Sequence, residues 1–166
     1  LRQSALNAAD QGIQAGYVVV NTPNTNPAAD PNLDGMGKLA SNPPLPSDPP
    51  LVAGYYSSAA AIEPNWADPA AWGNKGVLLN GGTPDAAGNV VMFIVERLCT
   101  VANAAASAAG QQCSQTISTA ETVKEGQDNF RPQDALFASL PQPNYRITAR
   151  AAGPRNSVAV VQVMLR

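Results

Sequence analysis

Oxygen-bearing side chains recur at a ligand-like interval once in this sequence, in Asp30-Pro31-Asn32-Leu33-Asp34-Gly35. The D-x-N-x-D-G spacing opens a calcium loop, in which Asp30, Asn32 and Asp34 would supply converging oxygens and Gly35 the sharp turn. The ninth position is Lys38, and the twelfth is Ser41 where a bidentate Glu belongs. The stretch therefore reads either as a calcium loop without its closing ligand or as a plain Asx-turn loop. The overlapping Gly35-Met36-Gly37-Lys38 lacks the leading glycine and the trailing Ser or Thr of a phosphate loop, and is excluded as one.

Catalytic chemistry is poorly supplied. The chain has no His, which removes Ser-His-Asp and Cys-His arrangements. Two cysteines without a His are too few soft ligands for zinc. Several acids precede proline, as in Asp30-Pro31, Asp48-Pro49 and Asp68-Pro69, and read as turn or cap residues. No feature recommends a carboxylate-pair glycosidase. The expectation is a protein that is not an enzyme and takes no cofactor other than calcium at the 30–35 loop.

Cys99 and Cys113 enclose TVANAAASAAGQQ, a stretch with little apolar bulk to hold it. A disulfide between them is expected to stabilise the fold by about 3 kcal/mol. It would place the chain in an oxidising compartment, the periplasm or the cell exterior. The length of 166 residues fits one domain, 1–166, with a fair core. Ten basic residues against 12 acidic ones leave a net charge of -2, so no basic face for nucleic acid is expected. Charged residues make up 13%, and the 15 prolines and 13 glycines suggest a loop-rich secreted protein. No run of about 18 apolar residues marks a membrane span.

The elements that would carry these residues begin with a helix. In LRQSALNAADQGIQAG, one face collects Leu1, Ala5, Ala8, Ala9, Gly12, Ile13, Ala15 and Gly16, and the other collects Gln3, Ser4, Asn7, Asp10, Gln11 and Gln14. The small residues suit close approach of another helix or a sheet. A helix lying on its own domain has the same pattern. The absence of a capping residue and of an initiator Met points to a truncated or processed N-terminus. The helix is placed in 1–20, with Val18–Val20 following its periodic part. Prolines from Pro23 to Pro50 then forbid helix or central strand, making 21–56 a long irregular connection.

The remainder, 57–166, reads as a sheet region. YYSSAAAI fits either a short strand or a helical turn. Asp68 caps a short helix that starts at Pro69 and stops at Gly73, with Trp66 and Trp72 packing on the core. After the PDAAGN turn, Asn89–Cys99 reads as a strand. YRITARA and SVAVVQVML form a C-terminal hairpin over 145–165, turning at Gly153-Pro154. Tyr145, Ile147 and Ala149 share one face, and Arg146, Thr148 and Arg150 the other. The second arm, Val158–Leu165, is apolar on both sides and is expected to be covered on both faces. The fold class is α+β, one N-terminal amphipathic helix packed on a C-terminal antiparallel sheet.

Three of these segments resemble the minor pilins of the PilX family, which assemble type IV pili. LRQSALNAADQGIQAG resembles the helix just after the membrane-spanning part in that family. DAAGNVVMFIVERLC with a second cysteine resembles its central strand, with Glu96 where the family often carries His. YRITARAAGPRNSVAVVQVML is similar to its C-terminal hairpin with a Gly-Pro-Arg-Asn turn. The resemblance implies a pilin-like domain whose helix is the C-terminal half of a longer one, anchored in the inner membrane with the domain in the periplasm. After assembly, the place would be the extracellular pilus tip. It implies a structural subunit of the complex that primes assembly, with other minor pilins, the major pilin and a tip adhesin as partners. Leu1, Ala5, Ala8, Ala9, Gly12, Ile13 and Gly16 would form a subunit-packing face. The alternatives are an adhesive or aggregation module acting through 21–56 or 99–113, and a minor pseudopilin of type II secretion.

Overall fold

The computed structural model describes residues 2–21, 54–102, 104, 106, 108–116 and 142–165. Leu1, the 21–56 connection up to residue 53 and the Asp30, Asn32, Asp34 loop lie outside the described residues, Asn21 excepted. The helix α1 spans Arg2–Asn21, so Val18–Val20 belong to its last turn and do not follow it. Their β-branching lowers helix propensity only slightly, and Val20 is buried in the core, which outweighs it. Asn21 ends the helix by donating from Nδ2 to Tyr17 O (2.9 Å), two residues before Pro23.

The strands are β1 (Tyr55–Tyr56), β2 (Val77–Leu78), β3 (Val90–Arg97), β4 (Gln115–Thr116), β5 (Gln142–Pro143), β6 (Tyr145–Ala152) and β7 (Val158–Leu165). Five of them make one sheet in the order β1-β3-β6-β7, with β2 also on β3, while β4 and β5 form a separate antiparallel pair. The sheet is mixed, where an antiparallel one was expected. Tyr55–Tyr56 runs parallel to Val95–Glu96, and β2 runs antiparallel to Met92–Phe93 on the same edge of β3. Strand direction depends on how the chain arrives, which two tyrosines cannot reveal. The fold is thus α+β, one N-terminal helix on a mixed five-stranded sheet.

Period-two alternation decides what each face of the sheet buries. Val91, Phe93 and Val95 of β3 and Tyr145, Ile147, Ala149 and Ala151 of β6 are all buried, and cluster with residues of α1. The helix lies on this face through Ala5, Ala8, Ala9, Gly12, Gly16 and Val20, spaced three or four apart. Glycine is required at the closest approach. A Cβ on Gly12 would stand 2.8 Å from Ala149 Cβ and 2.9 Å from Val91 Cγ1, and one on Gly16 would overlap Ile147 Cγ2.

The opposite face is covered by the segment between β1 and β2. Asp68 accepts from Ala70 N (2.9 Å) and caps a 3₁₀ turn at Pro69–Ala71, as its Asp-Pro sequence predicts. That turn holds Trp72, whose Nε1 donates to Trp66 O (2.9 Å), and the two rings stack edge-on at 5.0 Å against Ile94. Their reach ends at Val160. β7 is therefore covered only in part on the face away from α1, at Val160 and Gln162, where full cover of both faces had been expected. Ala159, Val161 and Leu165 turn toward α1, while Val158 and Met164 are 42% and 61% exposed. The hairpin and its turn at 153–157 match the sequence reading.

Candidate functional site

Both residues of the Glu96-Arg97 pair interrupt an apolar strand, and alternation sends them to opposite faces. On the face away from α1, Glu96 stands directly opposite Arg146 of β6. Arg146 Nη2 donates to Glu96 Oε2 at 2.8 Å and Arg146 Nη1 to Glu63 Oε2 at 2.8 Å. Gln162 of β7 donates to Glu63 Oε1 and to Thr148 Oγ1. One network thus ties β3, β6 and β7 to the covering segment. The hydrogen bond from Gln162, then the nearby Arg146, holds the Glu63 carboxyl below its usual value. Burial, then the Glu96 charge, pushes the Tyr56 phenol up.

Arg97 points the other way and is fully buried. Its Nε donates to Ser57 O (2.9 Å) and its Nη2 to Ala104 O (2.6 Å). A buried guanidinium is costly unless its donors are met, and these two carbonyls meet two of them. Ala104 belongs to the ring closed by the Cys99–Cys113 disulfide. At the neck of the ring the two cysteines form an antiparallel bridge, flanked by Thr100 N donating to Gln112 O (2.8 Å) and Ser114 N to Leu98 O (2.7 Å). Inside it, Gln111 accepts from Val101 N (2.8 Å) and donates to Val101 O (2.7 Å).

The ring is consequently a braced surface loop. It is closed by a covalent bond, bridged among its described residues by the Gln111 amide and held by Arg97 through Ala104 O. It presents Val101, 45% exposed, among small residues. An exposed loop on a rigid support is the usual form of a recognition surface. Sequence reading found the cysteines but missed Arg97, Glu63 and Gln111. The charged pair inside VVMFIVERLC was the signal for Arg97; Glu63 and Gln111 carry none.

Of the residues named for a subunit-packing face, Leu1 lies outside the described residues and the other six sit on the sheet side of α1. Ala5, Ala8, Ala9, Gly12 and Gly16 are buried against the chain's own sheet, and Ile13 is half-buried there, because glycine and alanine let α1 sit directly on β6. The side of α1 left open carries Leu6, Tyr17 and Val18, exposed by 48%, 50% and 62%. Among the described residues, no three His, Cys, Asp or Glu gather as a metal site. No described helix is long and apolar enough to cross a membrane. Comparison of the chain with protein-family models, with curated proteins and with solved structures finds no match.

Proposed function

We propose that this chain is the globular part of a minor pilin, a non-enzymatic subunit that joins other minor pilins and the major pilin in the complex that starts a type IV pilus. The single observation that supports the reading is the placement of α1. Its small-residue face is taken up by its own sheet, while Leu6, Tyr17 and Val18 stay exposed among the polar residues of its open side. Large apolar side chains left exposed on an otherwise polar helix surface suit contact with neighbouring helices. The contact role thus moves from the alanine and glycine face to these three residues. In this reading the chain is held at the inner membrane before assembly and at the pilus tip afterwards.

The test is a pull-down of this chain against the soluble domains of minor pilins encoded beside it, with Leu6→Asp/Tyr17→Asp as the comparison. Binding that disappears in the variant supports the reading, and loss of pili on deleting the gene extends it to the cell. Absence of binding to every neighbour overturns it. The braced 99–113 ring favours a second reading, an adhesive module; deletion that spares pili but abolishes attachment supports that one.

A further inference from the structure

β7 is the last strand of the sheet, and among the described residues no strand pairs with its outer side. Gly153 N donates to Ser157 O (2.8 Å), so residue 157 faces β6. Backbone groups of an antiparallel strand alternate in direction, which turns the N–H and C=O of Val158, Val160, Gln162 and Met164 outward. Soluble proteins guard such an edge with charge, proline or a bulge. VAVVQVML has neither charge nor proline, and its register with β6 is unbroken from Val158 to Leu165.

We infer that this edge pairs with the β7 edge of a second copy of the chain, antiparallel, about a two-fold axis through Val161. Three features select the second copy as occupant. Keeping both helices on the same side of the joined sheet requires opposed residues of equal parity, and the axis at Val161 satisfies it. That register opposes Val158 to Met164 and Val160 to Gln162, the residues whose backbone groups already point outward. It also brings the exposed apolar side chains of β7, Val158 and Met164, against each other on one face, with Ala159 against Val163 on the other. No charged side chain of β7 faces its own copy. The interface is isologous, so it closes as a dimer and does not propagate. It is independent of the pilin reading.

Sedimentation velocity across a dilution series tests this. The wild-type chain is expected to rise from 17.1 kDa toward twice that mass with concentration. Val158→Lys with Met164→Lys places like charges opposite each other at both ends and should leave only monomer. Val158→Lys with Met164→Glu opposes unlike charges in this register and should restore the dimer. A wild-type monomer, a dimer that survives the double lysine variant, a loss that the Lys/Glu variant does not reverse, or growth beyond a dimer each overturns the inference. Circular dichroism verifies that the variants fold. Should they not, amide exchange of Val160 and Gln162 in the wild-type chain decides: protection that rises with concentration supports the pairing, and unchanged exchange refutes it.

Discussion

Arg146 of β6 donates to a single oxygen of Glu96, Oε2, from both Nε (3.1 Å) and Nη2 (2.8 Å), across a directly opposed pair of the β3–β6 ladder. The Glu96 side chain is 6% exposed and that of Arg146 14%, whereas Glu63 is 46% exposed. Removing Arg146 would strand the Glu96 charge in the interior. Arg146→Ala is expected to cost about 3–5 kcal/mol, and Glu63→Gln less than about 1 kcal/mol. Urea unfolding of the two variants separates them, and equal costs would refute the assignment of Glu96–Arg146 as the dominant pair.

Gly12 and Gly16 should invert the usual helix rule. Glycine to alanine in a helix ordinarily gains up to about 1 kcal/mol. Here the new methyl meets Ala149 and Val91, or Ile147, all buried. Gly12→Ala and Gly16→Ala are each expected to destabilise by about 1–3 kcal/mol. Asn7→Ala, on the exposed side of α1, should gain about 0.5 kcal/mol. Thermal melts give the sign directly.

Acid should loosen the turn before β3 first. Asp85 Oδ1 accepts from Ala87 N and Asn89 N, and Oδ2 from Asn89 Nδ2, each at 2.8 Å. These bonds, the Asn89 side chain first, hold the Asp85 carboxyl below its ordinary 3.8. A carboxyl depressed in the folded state adds stability above its unfolded value, and the contribution is lost as pH falls toward the folded one. Asp85→Asn should therefore flatten the fall in stability below about pH 4, read from unfolding midpoints. A residual slope should remain, because Glu63 is depressed in the same direction by Gln162.

The braced ring should survive the loss of either support but not of both. Cys99→Ser with Cys113→Ser is expected to cost about 3 kcal/mol through the freed ring. Arg97→Lys replaces a fork that reaches both Ser57 O and Ala104 O with a single ammonium, and should cost about 1–3 kcal/mol. Combining them should exceed the sum, since each leaves the other as the remaining tether. Amide exchange at Thr100 and Val101 localises the effect to the ring.

The parts legible in the sequence are those with a local period or a local partner. Tyr145, Ile147 and Ala149 alternate with Arg146, Thr148 and Arg150 as the hairpin requires, Asp68-Pro69 caps as written, and Cys99 meets Cys113. Residues that depend on distant chain were less legible. The parallel setting of Tyr55–Tyr56, the partial cover of Val158–Leu165 and the continuation of α1 through Val18–Val20 all follow from which segment arrives alongside. The helix face shows the limit best. Its composition announced close packing correctly but not against what, since Ala5 and Gly12 suit a foreign helix and the chain's own β6 equally well.

The seating of α1 on β6 and β7 has a consequence for how the chain is made. Synthesis delivers a chain from its N-terminal end, so α1 emerges before the strands beneath it. The β3–β6 ladder spans 50 positions from Glu96 to Arg146, and Ser4 of α1 meets Asn89 across 85. Local hairpins close rapidly, while distant pairings must overcome a larger loop entropy. The β6–β7 hairpin is thus the early event and the docking of α1 the late one. Until then the Ala5, Ala9 and Gly12 surface has no floor, and a nascent helix in that state is a natural client for whatever escorts the unfinished chain.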